Sequence, residues 1–375
     1  MTFAIKLKES NGSFTNLPTL QTLIPSLLSL CNASLTSNTG TTAADSAENI
    51  QTNESRIAGN VESMNSTAEL ELLATLPWIA FLQGKVVAPS KEALKDDEHW
   101  IKIQYVNGVT IDGTGGGGID GNGSTWWPCK SCSRPRYSAS CAKNSPITND
   151  YIVFLFLQCV SNLKFTNSPK QHITLSDCNG AKFSNIDIQS PSYSPNTDGF
   201  DISTSKNVSI EDSTIQSGDD CIAVKEGSSY ISATRIACGL GHGISIGSLG
   251  INESYQTVEE VYVHNCSFTN TTNGARIKTF PGGSGYARNI TFEQIQLSNV
   301  KNPIVINQFY RAKKRAKHYD IKVEKESSVQ VTNVTYRGFN GSYIGDLAIN
   351  LNCTSCFNIV LDQVYILSSQ DKKRG

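Results

Sequence analysis

Short runs of alternating apolar and polar residues recur along most of the chain, each entered through a polar turn. They read "VNGVTIDG" from Val106, "VSNLKFTN" from Val160, "CNGAKFSNIDI" from Cys178, "SKNVSIEDSTI" from Ser205, "VEEVYVHNCSF" from Val258, "ARNITFEQIQL" from Ala287 and "CFNIVLDQVYI" from Cys356. Alternation with a period of two marks a strand with one buried face. The runs return roughly every 20 to 30 residues, the range of a structural repeat. No helical apolar stripe separates them, which argues against strand–helix units. Such a repeat is one coil of a solenoid, whose inner face is buried only when neighbouring coils stack on it. The pattern predicts an all-β, right-handed parallel β-helix over residues 76–367 as a single domain. An antiparallel sandwich or a propeller is the competing architecture, but hairpin turns of the Asn-Gly type are not placed between these strands.

Outside that region the texture changes. Residues 1–75 are rich in Ser, Thr, Asn and Ala with little periodicity, and are expected to be irregular or poorly ordered. Residues 368–375 form a short tail. Within the first segment, "LPTLQTLIPSLLSLCNA" follows Lys6 and Lys8 as a signal peptide would, but Pro18, Gln21 and Pro25 interrupt its apolar run.

Composition narrows the function. Of 375 residues 38% are hydrophobic and 17% charged, with a net charge of −1, so no global field recruits nucleic acid or an anionic membrane. No apolar run approaches the length of a membrane span. Eleven cysteines accompany sequons at Asn65, Asn207, Asn265, Asn289, Asn333 and Asn340, a combination that points to a secreted glycoprotein with disulfides.

Several motifs match a pattern without its context. "GTGGGG" from Gly113 fits a dinucleotide fingerprint, but no helix follows to receive a pyrophosphate. "GISIG" from Gly243 fits a nucleophile elbow, yet Ser245 lies in an alternating strand with no helix after it. "CKSC" from Cys129, near Cys141, lacks a second ligand pair for zinc, so disulfide pairing is expected. The basic run from Arg311 reads as a solvated loop.

Four stretches place charges where a coil would want plain turn or strand residues: "SPNTDGFDIS" with Asp198, "SGDDCIAVK" with Asp219 and Asp220, "CGLGHGISIGS" with His242, and "GARIKTF" with Arg276 and Lys278. The step from Asp198 to Asp220 equals the step from Asp220 to His242, and each is about one coil long. One coil apart, these groups would stack on one face. Arg276 follows His242, and Tyr310 follows Lys278, at wider steps that fit one longer coil each. Stacked Asp and Asn ladders are the structural alternative. Crowded carboxylates force their pKa values apart, so that one stays protonated while another is ionised, as hydrolysis of a glycosidic bond requires. Arg276 and Lys278 would then bind an anionic sugar. A Ca²⁺-dependent lyase is a weaker reading of the same carboxylates, made less attractive by His242.

"NTDG", "GDDC", "GHGISIGS" and "RIK", in this order and spacing, resemble the polygalacturonases, a family of plant pectin-degrading glycoside hydrolases. "GNGSTWW", "GGSGYARNI" and "NPIVINQFY" extend the likeness over about residues 84–367. The resemblance implies a parallel β-helix and inverting hydrolysis of α-1,4-linked galacturonan, with Asp219 as general acid and Asp198 and Asp220 activating water. It implies that His242 supports the acid, that Asn196, Arg276, Lys278 and Tyr310 contact substrate, and that Cys221 and Cys238 form a disulfide. The expectation is a secreted monomer acting on pectin without metal or cofactor. A hydrolase of rhamnogalacturonan, or a catalytically silent pectin binder, is the alternative. The family's usual opening coil, its cysteine-bearing loop near Tyr310 and its longer tail do not match here, which bears on folding more than on chemistry.

Overall fold

The inward-facing members of the repeat stack in columns. The computed structural model describes residues 78–82, 84–88, 101–103, 109–114, 116–127, 152–154, 159–310 and 328–369. Among these, strands pair in parallel into a sheet of fifteen and a sheet of nine. In the smaller sheet one column runs Ile173, Phe200, Ile222, Ile244, Ala275, Ile304. Two residues along runs a second: Leu175, Ile202, Val224, Ile246, Ile277, Ile306. All twelve are buried. Alternate residues of a strand share a face, so the residues between them, Asp201, Ser245 and Arg276 among them, turn to the opposite side.

The coils differ in length along the first column. The steps from Phe200 to Ile222 and from Ile222 to Ile244 are equal and short, while those before Phe200 and after Ile244 are longer. This is the right-handed parallel β-helix that the repeat predicts, and handedness follows the rule for parallel crossovers. The two short coils are those that join the aspartates to the histidine.

Corners of the larger sheet are made by residues in the left-handed backbone region, stacked coil on coil. Asn207, Tyr230, Glu260, Asn289, Asn333 and Asn358 hold equivalent places in one such corner, all with φ near +55°. Asparagine tolerates this region better than most residues and can bond along the stack. Asn358 Nδ2 donates to Asn333 Oδ1 (2.9 Å), Asn333 Nδ2 to Asn289 Oδ1 (3.0 Å) and Asn289 Nδ2 to Glu260 Oε1 (2.7 Å). Three of the sequon asparagines, Asn207, Asn289 and Asn333, thus hold places in this corner.

A disulfide joins Cys221 to Cys238 across one coil, and a second joins Cys353 to Cys356. Among the described residues no helix is long and apolar enough to cross a membrane. The segment 1–75, the "CKSC" stretch, the basic run from Arg311 and residues 370–375 lie outside the described residues.

Candidate active site

The site is built on the turns that lead into consecutive strands of the nine-stranded sheet. Gly199 N donates to Asp220 O (2.9 Å), His242 N to Asp219 O (2.8 Å) and Cys221 N to Gly243 O (2.8 Å). These bonds stack the turns carrying Asp198, the Asp219–Asp220 pair and His242. Glycines make the approach possible. A Cβ at Gly241 would stand 2.2 Å from Asp219 O, and one at Gly243, where φ is +77°, would stand 2.2 Å from Asn273 O. The pattern Gly-His-Gly is therefore what lets His242 lie against the paired aspartates.

Asp220 is the fixed point. Ser245 Oγ (2.9 Å) and Arg276 Nη2 (2.6 Å) donate to its Oδ1, and Lys278 Nζ (2.8 Å) to its Oδ2. Arg276 Nε also donates to Ser245 Oγ at 2.9 Å. Burial alone would raise the Asp220 pKa. The charges of Arg276 and Lys278, the Lys278 hydrogen bond and His242 outweigh it and hold the carboxyl at about 2.

Asp198 has the opposite environment. Its carboxyl is buried, and no protein group among the described residues donates to it. Burial, then the negative charges of Asp219, Asp220 and Asp201, push its pKa well above the ordinary value, with Lys225 pulling weakly the other way. Asp219 is partly exposed. Its Oδ1 is 2.7 Å from His242 Nδ1 and accepts the Asp220 peptide N–H at 2.9 Å, while Asn196 Nδ2 reaches Oδ2 at 3.4 Å.

Arg276 and Lys278 alternate with the buried Ala275 and Ile277 and so leave their strand on one side together. Their register differs from the spacing argument. Arg276 stacks on Ser245 rather than on His242, so this coil is shorter than the step from the histidine suggests, and Lys278 stacks on Asn307. Tyr310 lies further along, its N–H on Thr279 O (3.1 Å), with the Lys278 ammonium 5.5 Å from its ring centre and Phe280 edge-on at 5.4 Å. All of Asn196, Asp198, Asp219, Asp220, His242, Arg276, Lys278 and Tyr310 thus belong to one connected surface.

Three supporting groups are absent from the motif-based candidates. Ser245 bridges Asp220 and Arg276 rather than standing as a nucleophile. His172 braces the Asp198 peptide: its Nδ1 lies 3.0 Å from Asp198 O and its Nε2 2.8 Å from Ser190 Oγ, and burial pushes its pKa down to about 4, leaving it neutral. Asp201, held by Lys225 and by Gln171 Nε2 (3.2 Å), adds to the charge around Asp198. The pair Gln171–His172 stands one coil before Asp198–Gly199, in register with it, and this was the available signal.

Donor atoms of Asp219, Asp220 and His242 all lie within 4.8 Å of one another, close enough to consider a cation. Both Asp220 oxygens are already taken by cationic donors, and two adjacent positive charges oppose a divalent ion there.

The parallel β-helix thus brings three carboxylates together, one held in ionised form by two cations and another whose pKa burial and like charges push up. The sequence model of glycosyl hydrolases family 28 matches residues 65–374. The chain belongs to that family. A probable polygalacturonase of Arabidopsis thaliana is 42% identical over 77% of this chain and 60% of its own length. A polygalacturonase of Persea americana is 38% identical over 74% of this chain and 58% of its own. The chain therefore spans about 60% of the length of these curated relatives. Among solved structures, an endo-xylogalacturonan hydrolase from Aspergillus tubingensis superposes with a TM-score of 0.66 at 26% identity, covering 78% of this chain and 79% of that one. A family 28 exopolygalacturonase of Yersinia enterocolitica (TM-score 0.52, 16% identity, 80% and 68% covered) shares the fold.

Proposed function

We propose that this chain is a polygalacturonase, secreted to the cell wall, that hydrolyses α-1,4-galacturonosidic bonds of pectin with inversion. The observation that carries this reading is the divergence of Asp198 and Asp220, whose environments push two neighbouring carboxyls in opposite directions. The charge of Asp219 is among those that push the Asp198 carboxyl up, so the proposed cycle passes one proton between the two carboxyls. With that proton on Asp219, the more exposed carboxyl, it is delivered to the leaving glycosidic oxygen, and His242 steadies the carboxyl through Nδ1. Asp198, then ionised, takes a proton from the attacking water with Asp220 as its ionised partner. Arg276 and Lys278 hold Asp220 with only part of their donor capacity. Their remaining N–H groups can meet a galacturonate carboxylate, with Asn196 and Tyr310 lining the same surface. The disulfides support a secretory route.

The test is a substrate panel of polygalacturonate, xylogalacturonan, rhamnogalacturonan and a neutral glucan, read by reducing-end release and by NMR of the first anomer formed. Rapid release from polygalacturonate as the β-anomer is expected. Preference for rhamnogalacturonan, or the α-anomer first, would overturn it.

A further inference from the structure

Trp127 ends the motif "GNGSTWW" and Tyr193 stands directly before "SPNTDG", and the catalytic reading uses neither. Tyr193 is 79% exposed, and its ring meets that of Trp127 edge-on, with centres 6.4 Å apart and planes at 85°. Trp127 is itself anchored. Its indole N–H donates to Pro169 O at 3.2 Å and its peptide N–H to Gly123 O at 2.9 Å. A Cβ at Gly123 would stand 2.7 Å from the Trp127 ring, so the glycine of "GNGSTWW" makes room for it.

The loop bearing Tyr193 is pinned to the catalytic pair. Ser194 Oγ donates to Pro191 O (2.6 Å) and lies 2.6 Å from the Thr197 hydroxyl, and that hydroxyl accepts the Gly218 N–H at 2.9 Å. Ser194 and Thr197 are fully buried. A Cβ at Gly218 would stand 2.0 Å from Ser194 O. The residue after Tyr193 is therefore packed on the residue before Asp219, and Asn196 of the same loop reaches the Asp219 carboxyl. Isolated exposed aromatics are ordinary on protein surfaces. This one stands on a pinned loop, meets a second aromatic edge-on, and directly precedes Ser194, which packs on the residue before the proposed acid.

We propose that Tyr193, backed by Trp127, is a stacking platform for a sugar ring of the polygalacturonate chain next to the cleavage point. The proposal rests on the substrate reading above. An aromatic face binds the C–H face of a pyranose while leaving the sugar carboxylate and hydroxyls to polar groups. A rigid ring does so with little ordering of its own.

Two measurements separate this proposal from the hydrolase reading. In reducing-end assays Tyr193→Ala should raise KM for polygalacturonate about fivefold while kcat changes less than about twofold, and Tyr193→Phe, which keeps the ring, should restore KM. In native gels cast with polygalacturonate, Tyr193→Ala should lose retardation relative to wild type and Tyr193→Phe. Tyr255→Ala, at a comparably exposed tyrosine on the larger sheet, should not. If wild type releases no reducing ends, the hydrolase reading falls and the gels alone judge the platform. Retardation or KM of Tyr193→Ala equal to wild type would overturn it.

Discussion

Lys278 Nζ donates to Asp220 Oδ2 at 2.8 Å, and both side chains are almost wholly buried. A buried ion pair is weak evidence of net stabilisation, but removing one partner strands the other charge. Lys278→Met should therefore destabilise the fold by about 3–5 kcal/mol. Adding Asp220→Asn should recover only part of that loss, because it removes the carboxylate that lost Lys278 but leaves Arg276 without its anion. Urea unfolding of the two variants checks this, and a loss below about 1 kcal/mol for Lys278→Met would mean that Arg276 alone satisfies Asp220.

Asp198 retains its proton in the folded protein at pH values where the unfolded chain, near 3.8, has released it. The associated stability is present below that value and is lost as pH rises toward the folded pKa. Asp220 works in the other direction: held at about 2, its contribution is present above 3.8 and disappears as pH falls toward 2. His172, held at about 4, likewise loses stability as pH falls from 6.5 to 4. Asp198→Asn removes only the first of these. Its unfolding midpoint should gain on that of wild type as pH rises from about 4 to 7. A gap that does not change with pH would contradict the protonated Asp198.

Ser245 tests the difference between a nucleophile and a bridge. As a bridge between Asp220 and Arg276, its loss in Ser245→Ala should lower stability by about 1–3 kcal/mol and reduce turnover by roughly one to two orders of magnitude. Removal of a true serine nucleophile costs on the order of a millionfold. Turnover of the folded variant decides between them.

The fold was legible because burial imposes a period of two on every coil, as in Phe200-Asp201-Ile202 and Ala275-Arg276-Ile277. The equal steps from Asp198 to Asp220 to His242 were legible too, since those coils carry no insertions. Arg276 was matched to His242 instead of Ser245 because a coil's length depends on its loops, and loops leave no periodic trace. His172 and Ser245 were hidden for another reason. Each acts through hydrogen bonds across coils, and a lone His or Ser in a strand looks the same whether or not it meets such a partner. The pairing of Arg276 and Lys278 with Asp220 was likewise invisible, because their positions fix a shared face but not which anion they hold.

The central claim is that Asp219 delivers the proton that breaks a galacturonosidic bond. The most direct measurement compares reducing-end release from polygalacturonic acid by wild type and Asp219→Asn, with thermal unfolding recorded on both. The account predicts steady release by wild type and a loss of several orders of magnitude in the variant, at a nearly unchanged unfolding midpoint. Retained activity in folded Asp219→Asn, or no release by folded wild type, would contradict it.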